Sequence, residues 1–136
     1  MGPQHRLIEY VNSHRNSTFQ LGKHDCFTFT NGAWQVIYGD GYADRMIGQY
    51  ACTGPKRFRQ MLLDEFGHVD IIDCFDAHLI RVSGVPPRGA LVVSSQVGRW
   101  IIGKALGIAM GAHAVFVGDK GVVYVPITDI DGAWVK

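Results

Sequence analysis

The hydrophobic period of the sequence changes at Pro86-Pro87, and this limits the fold more than any other feature. Beyond the prolines come four short apolar runs: Ala90-Leu-Val-Val93, Ala105-Leu-Gly-Ile-Ala-Met110, Ala112-His-Ala-Val-Phe-Val117 and Val122-Val-Tyr-Val125. Gly111 and Asp119-Lys-Gly121 are the turn candidates between them. Apolar runs of this length between turn residues predict strands, and short links make neighbouring strands antiparallel. The last segment, residues 127–135, returns with Trp134 as an anchor. Ahead of the prolines the apolar residues recur at helical spacing. Helices first and a meandering antiparallel sheet afterwards is an α+β layout.

Three helices are predicted in the first half. Residues 3–14 place Leu7, Ile8 and Val11 on one face. Residues 26–38 carry a stripe of Phe29, Ala33, Val36 and Ile37, widened by Trp34 and stopped by Gly39-Asp-Gly41. Such a stripe is core packing. Gly54-Pro55 opens the third helix, with proline in the first turn where its missing N–H costs nothing, and Gly67 closes it after Phe58, Met61, Leu62 and Phe66. Lys56, Arg57 and Arg59 near its start add charge where the helix dipole is already positive, so they read as a solvated face. Residues 42–52 connect helices with a short helical turn. Residues 68–82 fit either a short helix through Ile71, Ile72, Phe75 and Leu79 or a strand from His78 to Val82.

The stretch that carries chemistry is Phe19-Gln-Leu-Gly22-Lys-His-Asp25-Cys26-Phe-Thr-Phe29. Asp25 is a good N-cap for the second helix, and Cys26 follows in its first turn, where the dipole favours a thiolate. That is where a cysteine nucleophile is placed. The other cysteines, Cys52 and Cys74, read as small buried apolar residues. Three dispersed cysteines without a CxxC pair speak against a disulfide framework and against a zinc or iron–sulfur site, so neither metal nor cofactor is expected. With 47% hydrophobic and 18% charged residues, the 136-residue chain is expected to form one globular domain, residues 1–136. A net charge of +1 without a Lys/Arg run gives no field for nucleic acid. The N-terminus lacks the apolar core of a secretory signal, and the run from Trp100 to Lys104 is too short to span a bilayer.

A helix that starts on a cysteine, followed by a small antiparallel sheet, resembles papain-like cysteine hydrolases. The motif Phe19-x-x-Gly22-x-x-Asp25-Cys26-x-x-Phe29 resembles the nucleophile motif of NlpC-type cell-wall peptidases. Pro87-Arg-Gly89-Ala-Leu-Val-Val93 is similar to their Arg-Gly-Asp-Leu strand, and Ala105-Leu-Gly107-Ile-Ala-Met-Gly111 to their His-Val-Gly-Ile-x-x-Gly strand. Gly39-Asp-Gly, Gly48-Gln-Tyr50, Thr53-Gly54, the closing Gly121-Val-Val-Tyr-Val-Pro126 and Gly132-Ala-Trp134 look like a small NlpC-like family of phage and prophage tail modules without a settled function. The resemblance implies N-terminal helices packed on a small antiparallel sheet.

It also implies a base histidine at position 105 and an aspartate at position 90, and here both are alanine. The third polar member falls near Val117 or Gly118, and Phe27-Thr28 replaces the usual Ser-Gly. Of the matched positions only the nucleophile remains. His113 is the natural substitute base, but it lies beside the predicted turn, roughly 20 Å along the sheet from position 105. His24 adjoins Cys26 in sequence, which does not aim its ring at the sulfur. His5, His14, His68 and His78 read as structural or surface residues.

Two functions follow from the resemblance. The first is a structural virion protein of a phage, or phage-derived, tail tip or baseplate, assembled in the bacterial host cytoplasm. Its partners are other tail-tip or baseplate proteins of the hub or central-fibre type, with no nucleic acid and no membrane insertion. Aromatic residues near Trp100 and Trp134 are expected to be exposed for such contacts. The alternative is an active cysteine peptidase or amidase that uses Cys26 on peptidoglycan peptides during infection, which makes peptidoglycan the further partner.

Overall fold

The computed structural model describes residues 2–20, 23–50, 55–96 and 104–136. Four α-helices are described: α1 (Pro3–Ser13), α2 (Cys26–Tyr38), α3 (Pro55–Phe66) and α4 (Ile71–His78). The strands are β1 (Ile80–Arg81), β2 (Leu91–Ser94), β3 (Ala105–Ala109), β4 (His113–Gly118), β5 (Gly121–Pro126) and β6 (Gly132–Val135). They form a six-stranded sheet in the order β1-β6-β2-β3-β4-β5, and the paired neighbours are antiparallel. The fold is α+β, as the change of period predicts.

The sheet is not the plain meander expected from the sequence. β2 to β5 follow one another, but β6 returns and lies between β1 and β2. Trp134 holds it there. This side chain has no solvent exposure, its indole Nε1 donates to an Asp76 carboxylate oxygen at 2.8 Å, and the Arg81 guanidinium lies 5.3 Å from its ring centre. Trp134 is therefore an anchor and not the exposed contact aromatic that was expected. Trp100 lies outside the described residues.

Residues 68–82 resolve into both readings. Asp70 caps α4 by accepting from the N–H groups of Ile72 (2.9 Å) and Asp73 (3.3 Å), and only Ile80 and Arg81 are left to form a strand.

The helices cover one face of the sheet. Leu91, Val93, Leu106, Ile108 and Val115 point into a core shared with Leu7, Val11, Cys26, Phe27, Phe29 and Trp34. Alternation along the strands sends Ala90, Val92, Ala105, Ala109, Ala114, Phe116 and Ala133 into a second, alanine-rich cluster. Of the three residues expected to share the buried face of α1, Leu7 and Val11 are buried, but Ile8 is 37% exposed. Tyr10 contributes instead. Its hydroxyl donates to the Phe29 carbonyl of α2 at 2.8 Å, and its ring packs 5.4 Å from Phe29. Trp34 ties α2 to the approach to β2 by donating to the Gly89 carbonyl at 3.1 Å.

Gly32 makes the α1–α2 approach possible. A Cβ built at this position would run into the Tyr10 hydroxyl. Gly32→Ala should therefore push Tyr10 off Phe29 and destabilise the protein by about 1–3 kcal/mol. Urea unfolding of the variant beside the wild type measures that loss as a lower midpoint.

Candidate active site

Asp25 has an extended backbone (φ −124°, ψ 179°) and starts α2 with a capping box. Its carboxylate accepts from the Thr28 N–H at 2.8 Å, and the Thr28 hydroxyl accepts from the Asp25 N–H at 2.8 Å. Two of the orphan donors at the helix start are satisfied in this way. The carboxylate has no solvent exposure. The Tyr50 hydroxyl donates to it, 2.7 and 2.8 Å from its two oxygens. Burial, followed by the adjacent Asp25 charge, raises the pKa of the Tyr50 phenol, so it remains a donor. Tyr50 comes from the 42–50 connection, with its ring against Phe27 and Phe58 at 5.8 and 5.1 Å.

Cys26 is the first residue of α2 and is 4% exposed. The paired residues of β3 and β4 run from Ala109↔Ala114 to Gly107↔Phe116. One residue further along β3, Leu106 packs in the same core cluster as Cys26, and its backbone N–H favours the charged form of the thiol. The helix start thus packs on the strand. Deeper in the core the Thr30 hydroxyl donates to the Cys26 carbonyl at 2.7 Å and meets the Tyr42 hydroxyl at 2.6 Å.

The helix start does not yield the expected thiolate. Burial pushes the Cys26 thiol well above its ordinary pKa; the Leu106 N–H and the first-turn N–H groups oppose this, and the neighbouring Asp25 carboxylate adds to it. Desolvation of the charged form outweighs the dipole. Cys74 is also buried, donates to the His68 carbonyl at 3.3 Å, and has its thiol pushed up to about 12 by burial. Cys52 lies outside the described residues.

No imidazole among the described residues hydrogen-bonds to Cys26. The His24 ring stacks on His14, 5.3 Å between centroids, and meets Phe29 edge-on. His113 is exposed on the first residue of β4. Its carbonyl accepts from the Met110 N–H at 2.8 Å, which puts it opposite residue 110. Position 105 is five residues back along β3, roughly 16 Å away. Neither candidate substitute is placed as a base. His78 meets the Phe66 carbonyl at 2.8 Å, His5 meets Glu9 at 3.2 Å on the surface, and His68 is exposed.

Ala105 and Ala90, where the resemblance expects histidine and aspartate, share the second cluster with Phe116. Leu106, not Ala105, packs in the core cluster that contains Cys26. No group of three or more His, Cys, Asp or Glu among the described residues is placed to hold a metal ion.

Sequence reasoning quoted Tyr50 only within a family motif and missed its hydrogen bonds to Asp25. The Asp-x-x-Thr spacing of residues 25–28 is a local signal for the capping box. Tyr50 has no such signal, because it reaches Asp25 across 25 positions of chain. Tyr50→Phe leaves the ring in place and removes a donor from a buried carboxylate. It should cost about 1–3 kcal/mol, read as a lower thermal midpoint with the fold otherwise retained.

A family model described as a domain of unknown function (DUF6950) matches residues 2–135. No curated protein matches the chain.

Proposed function

The chain belongs to the DUF6950 family, and we propose that it is a structural component of a phage, or phage-derived, tail tip or baseplate, built on an NlpC-like peptidase fold without its catalytic histidine. The observation that carries this reading is the state of Cys26. The thiol is buried, burial disfavours its charged form, and no imidazole hydrogen-bonds to it among the described residues. A thiol hydrolase needs a base to form the thiolate and an acid to protonate the leaving amine. The tail setting comes from the sequence resemblance.

The surface suits a protein with neighbours. Ile80 on β1 is 62% exposed, Val85 in the following loop 78%, and Tyr124 on the opposite edge strand 51%. Large apolar side chains at both edges of a sheet are candidate contact points for other tail-tip or baseplate proteins. Among the described residues no helix is long and apolar enough to cross a membrane. The location that fits this reading is the virion tail, assembled in the host cytoplasm.

The alternative, a peptidase or amidase acting on peptidoglycan peptides, is favoured by one observation: Cys26 stands directly after the N-cap Asp25, at the first helical residue. Two measurements decide between the readings. Mass spectrometry of tail particles from a strain carrying this gene should find the chain in fixed ratio to the other tail proteins. Purified protein and its Cys26→Ala variant should both release no peptide from labelled peptidoglycan. Absence from the particles, together with release that needs Cys26, would establish the enzyme instead.

A further inference from the structure

The junction between the end of α1 and the start of α2 holds a pair of histidines that neither functional reading uses. His14 caps α1 and His24 directly precedes Asp25, the cap of α2. Their rings stack with 5.3 Å between centroids and 17° between planes. His14 is fixed from behind, with its Nδ1 3.0 Å from the Tyr10 carbonyl oxygen and 3.0 Å from the Ser13 hydroxyl. The His24 backbone is fixed by Gln20, with hydrogen bonds of 2.7 and 2.8 Å in the two directions. The Phe29 ring closes off its edge at 6.1 Å.

His24 Nε2 is buried in this arrangement and has no hydrogen-bond partner among the described residues. A neutral imidazole tolerates that at modest cost, but a protonated one does not, because the N–H⁺ at Nε2 has no acceptor among the described residues and its ring is stacked on a second imidazole. The surrounding charges do not repair this. From α1 and its end come His14, the Tyr10 phenol, which donates to Phe29, and the Arg15 guanidinium, which donates to Asn12 at 3.3 Å. Lys23 precedes His24 in the chain. From α2 comes Asp25, whose carboxylate accepts from Thr28 and Tyr50. Asp119 and Lys120 precede Gly121, which packs on the Arg15 backbone.

We propose that the His14–His24 stack is an acid-sensitive contact: proton uptake by His24 separates the rings and loosens the end of α1 from the start of α2. Burial, followed by the His14 ring, lowers the pKa of His24, and Asp25 opposes this as the smallest of the three causes. A lowered folded-state pKa means that the contact is fully stable above the ordinary histidine value of about 6.5 and is lost as pH falls below it. The hydrogen bonds that report on the junction are those between Gln20 and His24, together with the Val122 N–H to the Arg15 carbonyl at 3.0 Å. Proton uptake loosens the same end of α2 that carries Cys26, so acid conditions would change the setting of that thiol without any catalytic partner.

Amide hydrogen exchange by NMR, corrected for intrinsic rates, tests the proposal on the whole chain. Between about pH 7.5 and about pH 5.5 the protection of the Gln20, His24 and Val122 amides should fall several-fold, up to the roughly 10-fold that one histidine with an ordinary value of about 6.5 allows over that range. The Ala109 amide, bonded to the Ala90 carbonyl at 2.9 Å in the sheet, should hold its protection. His24→Phe keeps a ring in the stack and removes the proton site, so its protection should not change with pH. If that variant misfolds, His24→Gln serves the same purpose. Unchanged protection in the wild type overturns the proposal, and so does an equal loss in the non-titrating variant.

Discussion

A carboxylate without solvent exposure must find its hydrogen bonds inside the protein, and Asp25 finds them in two directions. Locally it accepts from Thr28 and so fixes where α2 begins; across the chain it accepts from Tyr50 and so draws the 42–50 connection over the helix start. A cap of this kind is worth about 1 kcal/mol, and hydrogen bonds to a charged group about 1.5–3 kcal/mol each. The asymmetry matters more than the sum, since a lost donor leaves a buried charge short of partners. With the helix start fixed, Cys26 falls against β3 and Phe27 falls between Tyr42, Tyr50 and Phe58. The seating of the helices on the sheet follows from that one position.

The same geometry decides the chemistry. A cysteine at a helix N-terminus is reactive when water or a cationic partner can stabilise the thiolate. Cys26 is 4% exposed, and its chain neighbour Asp25 is a carboxylate that disfavours the thiolate. The helix dipole acts with partial charges, and burial removes the solvation of a full one, so burial wins. The alanines at 90 and 105 agree with this, because they line a tight apolar cluster around Phe116 and not a polar cleft.

The sequence made α2 and α3 legible to the residue, since each has a start signal in Asp25 or Pro55 and a glycine stop in Gly39 or Gly67. The strands after Pro86-Pro87 were legible for the same kind of reason. The sheet order was not, because the place of β6 depends on Trp134 reaching Asp76 across 58 positions of chain. A tryptophan near the end of a chain looks the same in sequence whether it anchors a strand or sits on the surface. At the candidate site the cysteine, its cap and the alanine at position 105 were legible as residue types. The protonation state of the thiol was not, because it depends on what covers the helix start, and Tyr50 and Leu106 arrive from distant segments.

Everything said of Cys26 rests on a buried thiol whose charged form burial disfavours. The direct measurement is the ultraviolet absorbance of its thiolate, taken as the difference between wild type and Cys26→Ala across a pH titration. No thiolate from Cys26 is expected between about pH 5 and about pH 9 while the protein stays folded. A titration step in that range that vanishes in the variant would contradict it, and would mean that the helix start holds a working nucleophile.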